Sequence, residues 1–471
     1  MADDRYAAYS VLRSIEKNGE YSKIALKKAE DKGLDSPAFV RELVYGTLER
    51  KLYLDWMLDK VIERGTSSVR RDTLILLRMG LYQIEFMDSV PDFSAVNETV
   101  KLSRKCLHGQ TGFVNGVLRG YLRKRGSIAL PDETAEPDKY LSVRYSCGMS
   151  LVRLLTAEFG HAGAEKMLAF SLEKPPVFIR INTAKAAADG AVGRAAGSAA
   201  GSTAGCAADG IADGAVESVR KELALCGIKT KPSRLSARCF ETSGVRLTSS
   251  DAWKNGLFSI QSEESCFIAD QLCASHGDTV IDVCAAPGQK SFAAAESMDD
   301  TGTVYAGDLY EQRVELIRKE AERIGLWSVK PYTWDAASVR EDFLGTDGSG
   351  IADVVLADVP CSGIGVIRRK PEIKYKDFSS GGKTFGAIEE LAGIQSCILE
   401  TASKYVKPGG RLVYSTCTVT HAENADVAHG FAENHRTGSG GRSFILTSER
   451  QLLPQTDGTD GFYVAVFTRI G

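Results

Sequence analysis

From Gly256 onward the chain alternates between short apolar runs and amphipathic segments, and that alternation admits few folds. Strands are expected over 279–283, 303–306, 329–332, 353–357 and 411–414. Between the second and third, Val314, Ile317, Ala321 and Ile324 share one helical face. Such a pattern gives a mostly parallel sheet with helices on both faces, a Rossmann-like α/β core over 256–471. Ligands bind beyond the carboxyl ends of the strands in sheets of this kind. The chemistry is therefore sought there.

The preceding chain reads differently. Helical periodicity runs over 6–15, 39–48, 52–62, 74–86, 95–102 and 113–122, where Phe113, Val117 and Tyr121 mark one apolar face. Gly126, Ser127, Pro131 and Pro137 close this all-helical part, giving a domain over 1–126. A small α+β domain is expected over 140–250, with a helix at 151–159, a strand at 177–181 and a helix at 216–226. Within it, residues 184–215 are almost entirely Ala, Gly, Ser, Asp and Thr. That composition cannot bury a core, so a disordered insertion is expected, with Cys206 incidental to function.

No apolar run approaches bilayer length and the first residues are polar, so a cytoplasmic protein away from membranes is expected. The net charge of −3 excludes a chain that is basic throughout but not a local basic face. Lys101, Arg104, Lys105, Arg119, Arg123, Lys124 and Arg125 form such a stretch; an isolated one is more often a solvated helix face. The eleven cysteines are scattered without a C-x-x-C pair, so neither a metal site nor a disulfide framework is expected.

The first strand of the α/β part runs into Cys284-Ala285-Ala286-Pro287-Gly288-Gln289-Lys290, a small-residue turn that lets backbone approach a ligand. The dinucleotide fingerprint G-x-G-x-x-G is missing, which argues against a nicotinamide or flavin. Asp308 ends the second strand, where a carboxylate accepts hydrogen bonds from ribose hydroxyls. With Asp282, Asp335 and Asp358, four successive strands each carry an Asp near the carboxyl end. One such Asp is usually a helix cap. Four in register suit a nucleoside that carries a sulfonium and an amino group.

Two cysteines sit beside strand ends on the same side, in Asp358-Val359-Pro360-Cys361-Ser362-Gly363 and in Ser415-Thr416-Cys417-Thr418. A lone cysteine is usually a buried inert thiol. Two at matching strand ends suit addition of a thiolate to carbon 6 of a pyrimidine, which makes carbon 5 able to take a methyl group. Asp358 is placed to hydrogen-bond the N3/N4 edge of a cytosine during that addition. An aromatic after Pro360 would suggest methylation of an exocyclic amine; Cys361 points to carbon instead. Downstream, Arg368-Arg369-Lys370 are three consecutive cations that would attract RNA phosphate, or a solvated loop.

These motifs resemble those of the RNA cytosine-C5 methyltransferases of the Nol1/Nop2/Sun family. The run from Gly365 to Tyr375 is most similar to the bacterial Sun/Fmu branch, and Ala95-Val96-Asn97-Glu98 and 112–119 look like the NusB-like helical domain of that branch. Phe258-Ser259-Ile260-Gln261 and the closing 458–463 extend the resemblance over nearly the whole chain. It implies a class I methyltransferase core, S-adenosylmethionine as cofactor, and 16S ribosomal RNA, naked or in an assembling small subunit, as partner of a monomer. It implies that Cys417 is the nucleophile and Cys361 assists product release. It further implies that Cys284, Ala285, Ala286, Pro287, Gly288, Gln289, Lys290, Asp308, Arg313, Asp335 and Asp358 line the cofactor site.

The family usually reads Pro-Gly-Gly-Lys-Thr where this chain has Gln289 and Ser291, and a side chain at 289 is expected to crowd the cofactor if a positive φ is needed there. Three other readings stay open. One is a non-catalytic RNA-binding protein with a relic core; the second is a DNA cytosine methyltransferase, which uses the cysteine of the Pro-Cys motif as nucleophile. The third is the same chemistry on transfer RNA.

Overall fold

The structure, a computed structural model, describes residues 4–20, 22–188, 213–243, 247–436 and 442–471. It divides into two compact units, one of residues 1–173 with 367–384 and the other of 174–366 with 385–471.

The first unit is all-helical, with helices Asp4–Asn18, Ser22–Glu30, Pro37–Glu49, Lys51–Asp59, Arg71–Phe86, Asp92–Cys106, Thr111–Lys124, Pro137–Arg144 and Met149–Phe170. Helix Arg71–Phe86 is buried on nearly every side, from Ile75 and Leu76 through Met79 and Leu81 to Ile84, so it forms the centre round which the others pack. Its Arg78 is buried and grips both carboxylate oxygens of Asp55 at 2.7 and 2.8 Å, with Glu16 at 2.6 Å. In Thr111–Lys124 the buried face is Val114, Val117, Leu118 and Tyr121; Phe113 is exposed, one helical step of rotation away from the face expected for it. Helix Met149–Phe170 runs past the expected end at 159 because its turn breaks at Gly160 (φ 68°, ψ 169°) and then resumes.

Residues 367–384 complete this unit from far along the sequence. Lys374 is fully buried and donates to the Glu49 carbonyl, and the Tyr375 hydroxyl donates to the Leu48 carbonyl. The Gly148 amide donates to the Lys374 carbonyl at 2.7 Å.

The second unit holds two sheets. The smaller has strands β1 (Val177–Ile181), β2 (Lys229–Pro232), β3 (Cys239–Ser243) and β4 (Phe258–Ile260) in the order β2-β3-β1-β4, all antiparallel. Helix Asp213–Leu225 covers it with Val219 and Leu223. The segment expected as one middle domain is thus shared: its two long helices, Pro137–Arg144 and Met149–Phe170, fold with the first unit and its strands with the second. Where disorder is expected, the ends of the insertion are helical, in Thr183–Ala188 and from Asp213. Residues 189–212, Cys206 among them, lie outside the described residues.

The larger sheet has seven strands: β5 (Thr279–Asp282), β6 (Thr303–Asp308), β7 (Val329–Thr333), β8 (Ala352–Asp358), β9 (Val406–Thr416), β10 (Phe444–Leu452) and β11 (Phe462–Arg469). Their order is β10-β11-β9-β8-β5-β6-β7. Strands β5 to β9 pair in parallel, and β11 runs antiparallel between β9 and β10. The order reverses between β5 and β8, which opens a crevice at their carboxyl ends. Val280, Ile281, Val355, Leu356, Leu412 and Val413 are fully buried, as parallel strands covered on both faces require.

Candidate functional site

Asp282, Asp308 and Asp358 close β5, β6 and β8, so the sheet register alone brings three of the four carboxylates to one edge. Asp282 is buried and accepts from Ser291 Oγ at 2.6 Å; burial pushes its carboxyl up to about 7 against that hydrogen bond. Asp308 is also buried, and its carboxylate accepts from the Tyr310 amide at 3.2 Å and pairs with Arg313 at 3.1 Å. Asp335 differs. It is exposed and accepts from the Ala337 amide two residues on, the local cap that a single Asp usually makes.

The turn after β5 is held from both sides. The Ala285 amide donates to the Gly307 carbonyl at 2.6 Å, and Arg313 donates to the Ala286 carbonyl at 2.7 Å. Gly288 has φ +101°, and a Cβ there would meet the Phe292 ring at 2.4 Å, so only glycine fits. Gln289 is the first residue of helix Gln289–Ser297 and does not have a positive φ, so the crowding expected from a side chain at 289 does not arise. Behind the helix, Arg180 of β1 is fully buried. It forms a bidentate pair with Glu296 at 2.7 and 2.9 Å and donates to the Gln289 carbonyl at 2.9 Å. Arg238 adds bonds to the Ala293 carbonyl and Ser297 Oγ. The small sheet therefore fixes the helix that presents Lys290.

Lys290 Nζ lies 2.6 Å from Asp358 Oδ2, and Ser415 Oγ donates to the other Asp358 oxygen at 2.7 Å. Burial opposes the Lys290 charge, but Asp358 outweighs it and holds the ammonium above its ordinary pKa; Asp282 and Cys417 act in the same sense.

The two cysteines meet at this edge, with Cys361 Sγ 3.3 Å from Cys417 Sγ and both half-buried. The contact follows from the β8–β9 pairing, in which Asp358 lies opposite Ser415. Beyond it the Val359 amide donates to the Ser415 carbonyl and the Gly365 amide to the Cys417 carbonyl, both at 3.1 Å. Gly365 has no room for a side chain, since a Cβ would sit 1.9 Å from the Gly461 carbonyl oxygen.

The basic run lies in the segment that folds with the helical unit. Arg368 is buried with its guanidinium 4.1 Å over the Phe170 ring, and Arg369 is half-buried; Lys370 is the exposed member of the three. Sequence reasoning missed the buried polar residues behind the cysteines: Gln395, Glu423 and Asn424. The Glu423-Asn424 pair soon after Cys417, at the start of helix Ala425–Asn434, is the signal that would have drawn attention.

The strand order, the Gly288 turn and the Asp308 carboxylate define a class I methyltransferase domain, here with a two-cysteine centre. The 16S rRNA methyltransferase RsmB/F profile matches residues 269–468, and the NusB family matches residues 2–123. A probable ribosomal RNA small subunit methyltransferase B of Bacillus subtilis is 34% identical, with 99% of each chain covered. Its counterpart in Synechocystis is 30% identical over 99% of each. The crystal structure of PH0851 covers 98% of each chain with a TM-score of 0.74 at 21% identity, a likeness of fold. The chain belongs to the RsmB/F family of ribosomal RNA small-subunit methyltransferases, with a NusB-like helical part ahead of the methyltransferase core. Among the described residues no helix is long and apolar enough to cross a membrane.

Proposed function

We propose that the protein methylates carbon 5 of a cytosine in 16S ribosomal RNA through a covalent adduct between Cys417 and carbon 6. The observation that carries this reading is the pair of thiols 3.3 Å apart beside the Lys290–Asp358 ion pair, at the crevice of a methyltransferase sheet. The small-subunit RNA named for the relatives from Bacillus subtilis and Synechocystis supports the choice of substrate.

The donor set suits S-adenosylmethionine. Asp308 would offer a buried carboxylate to ribose hydroxyls, and the 284–288 turn would offer close backbone. Residues 284–290, Asp308, Arg313 and Asp358 would hold it, with Asp335 in a lesser, solvent-facing role. When bound, it supplies an electrophilic methyl group on sulfur.

The residues of the chain supply the rest. The Cys417 thiolate forms a bond to carbon 6, and the ring electrons shift to carbon 5. Asp358, paired with Lys290 and aimed by Ser415, would hold the N3/N4 edge of the cytosine, and the Lys290 ammonium beside it would offset the negative charge arising on the ring. Once carbon 5 carries the methyl group, it loses its proton to water, the electrons of that C–H bond restore the C5–C6 double bond, and the C6–S bond breaks with its electron pair returning to Cys417 as thiolate. Cys361, in contact with the departing sulfur, assists that release.

RNA binding is assigned to the NusB-like part over 1–126 and to residues 140–250, which are divided between the two units, and methyl transfer to 256–471. Lys370 and the cations of helices Asp92–Cys106 and Thr111–Lys124 are the RNA contacts best placed in solvent. A cytoplasmic monomer acting on naked RNA or on an assembling subunit fits this assignment. Incubation with labelled S-adenosylmethionine and unmethylated 16S RNA, with transfer RNA in parallel, tests it. One 5-methylcytosine in 16S RNA, located by bisulfite sequencing, is expected. Methylation of transfer RNA alone, or of neither, overturns it.

A further inference from the structure

Glu423 is fully buried and lies outside every motif used above. Five donor groups face its carboxylate. The Ser362 amide stands at 2.8 Å, Ser362 Oγ at 2.7 Å and Gln395 Nε2 at 3.0 Å. Thr418 Oγ1 stands at 3.2 Å and Thr420 Oγ1 at 2.9 Å. Ser362 follows Cys361 and Thr418 follows Cys417, so this one carboxylate is bonded to the neighbours of both sulfurs. The next residue, Asn424, accepts from Thr416 Oγ1 at 2.6 Å and donates to the Thr418 carbonyl at 3.2 Å, which closes the frame round Cys417.

All five donors are neutral. They bond the carboxylate oxygens and bring no opposite charge to them. The charged groups round the pair are therefore arranged unequally. Glu423 takes two short bonds from Ser362, next to Cys361, against one at 3.2 Å from Thr418, next to Cys417; the hydrogen bond with Cys417 and burial push the Cys361 thiol up, and the charge of Glu423 adds to them. Lys290 lies on the Cys417 side, paired with Asp358 and near Asp282. Two thiolates at 3.3 Å repel strongly, so the pair gives up one proton to solvent and keeps the other.

We propose that Glu423 is a positioning residue that clamps the Cys361 and Cys417 segments together and keeps the remaining proton of the pair on Cys361, reserving the thiolate for Cys417. The proposal rests on the reading of Cys417 as nucleophile and explains why two adjacent thiols take different roles.

The test is site-resolved alkylation of the full chain by iodoacetamide, without RNA or cofactor, across about pH 6 to about pH 9. In the unmodified protein Cys417 reacts faster than Cys361 by about tenfold or more. In Glu423→Gln, which keeps the shape and loses the charge, that ratio falls by about threefold or more and the Cys361 profile moves to lower pH. Glu423→Asp, which keeps the charge, preserves most of the preference; a role in packing alone would make the Asp variant, with its shortened reach, the worse of the two. An unchanged ratio in a folded Glu423→Gln protein overturns the proposal. So does an Asp variant that loses the preference, which decides the matter if the Gln variant does not fold. Adduct formation between Cys417→Ala and RNA containing 5-fluorocytosine overturns the nucleophile reading instead, and leaves the thiol ratio as a separate result.

Discussion

Cys361 and Cys417 stand 56 residues apart in the chain and 3.3 Å apart at their sulfurs. The parallel pairing of β8 and β9 makes this contact, because Asp358 and Ser415 share a register position and each cysteine follows a few residues later. A slip of register between β8 and β9 would draw the two thiols apart. The pair is therefore set by backbone geometry before any side chain is considered.

Separating the roles of the two thiols is the first expectation. Cys417→Ala should form no adduct with 5-fluorocytosine RNA and lose activity by about a thousandfold or more. Cys361→Ala should still form the adduct and accumulate it, seen as a slow-migrating RNA–protein band. The reverse pattern would assign the nucleophile to Cys361.

The four aspartates should not be equal. Asp308 is buried beside Arg313, so Asp308→Ala should weaken S-adenosylmethionine binding by about 10- to 100-fold in calorimetry. Asp335 is exposed and capped on its own backbone, so Asp335→Ala should change the same constant by only about threefold or less.

At the turn, strain sits on Gly288 rather than on Gln289. Gly288→Ala forces a side chain into φ +101° and into Phe292, and should cost cofactor affinity and about 1–3 kcal/mol of stability. Gln289→Gly should leave affinity nearly unchanged and lower stability by about 1 kcal/mol or less, since 289 is an ordinary first helical position.

Asp282 should make stability fall with rising pH. Its carboxyl is raised to about 7 in the folded protein from an ordinary value of 3.8, so between those limits the folded state holds a proton that the unfolded state has lost. The contribution is complete below about pH 4 and lost as pH rises through about 7. Asp282→Asn removes this titration. Urea unfolding should show the variant gaining on the parent protein from about pH 4 to about pH 7, and parallel curves would refute the assignment.

The Arg180–Glu296 pair should be costly to break and cheap to replace. Arg180→Met leaves Glu296 buried without its partner and should destabilise by about 3–5 kcal/mol in urea unfolding. The double change Arg180→Met with Glu296→Leu should recover most of that loss.

Strands β5, β6, β8 and β9 were legible because parallel strands covered on both faces carry apolar runs, and each ended on an Asp or a cysteine motif. The hairpin of β10 and β11 was not. Strand β10 carries Thr447, Ser448, Glu449 and Arg450 on an open edge, which reads as loop until β11 is known to pair with it. Asp308, Asp358 and both cysteines were found from strand ends. Glu423 was not, because its role depends on donors from three separated segments, which the Glu423-Asn424 pair alone does not reveal. Arg368 was misleading for the opposite reason. In a run of three cations it looks solvent-facing, yet it packs on Phe170, far away in sequence.

The late segment 367–384 also bears on how the chain matures. During synthesis the first 173 residues leave the ribosome before Lys374 and Tyr375 exist, with the Leu48 and Glu49 carbonyls lacking those partners. At ribosomal speeds the missing piece arrives roughly 10–40 s later. The buried core of the helical part, from Ala8 to Tyr121, is made early, and residues 367–384 are added to it late. Its last contacts, from Lys374 and Tyr375, close only after strands β5 to β8 of the methyltransferase sheet have been made.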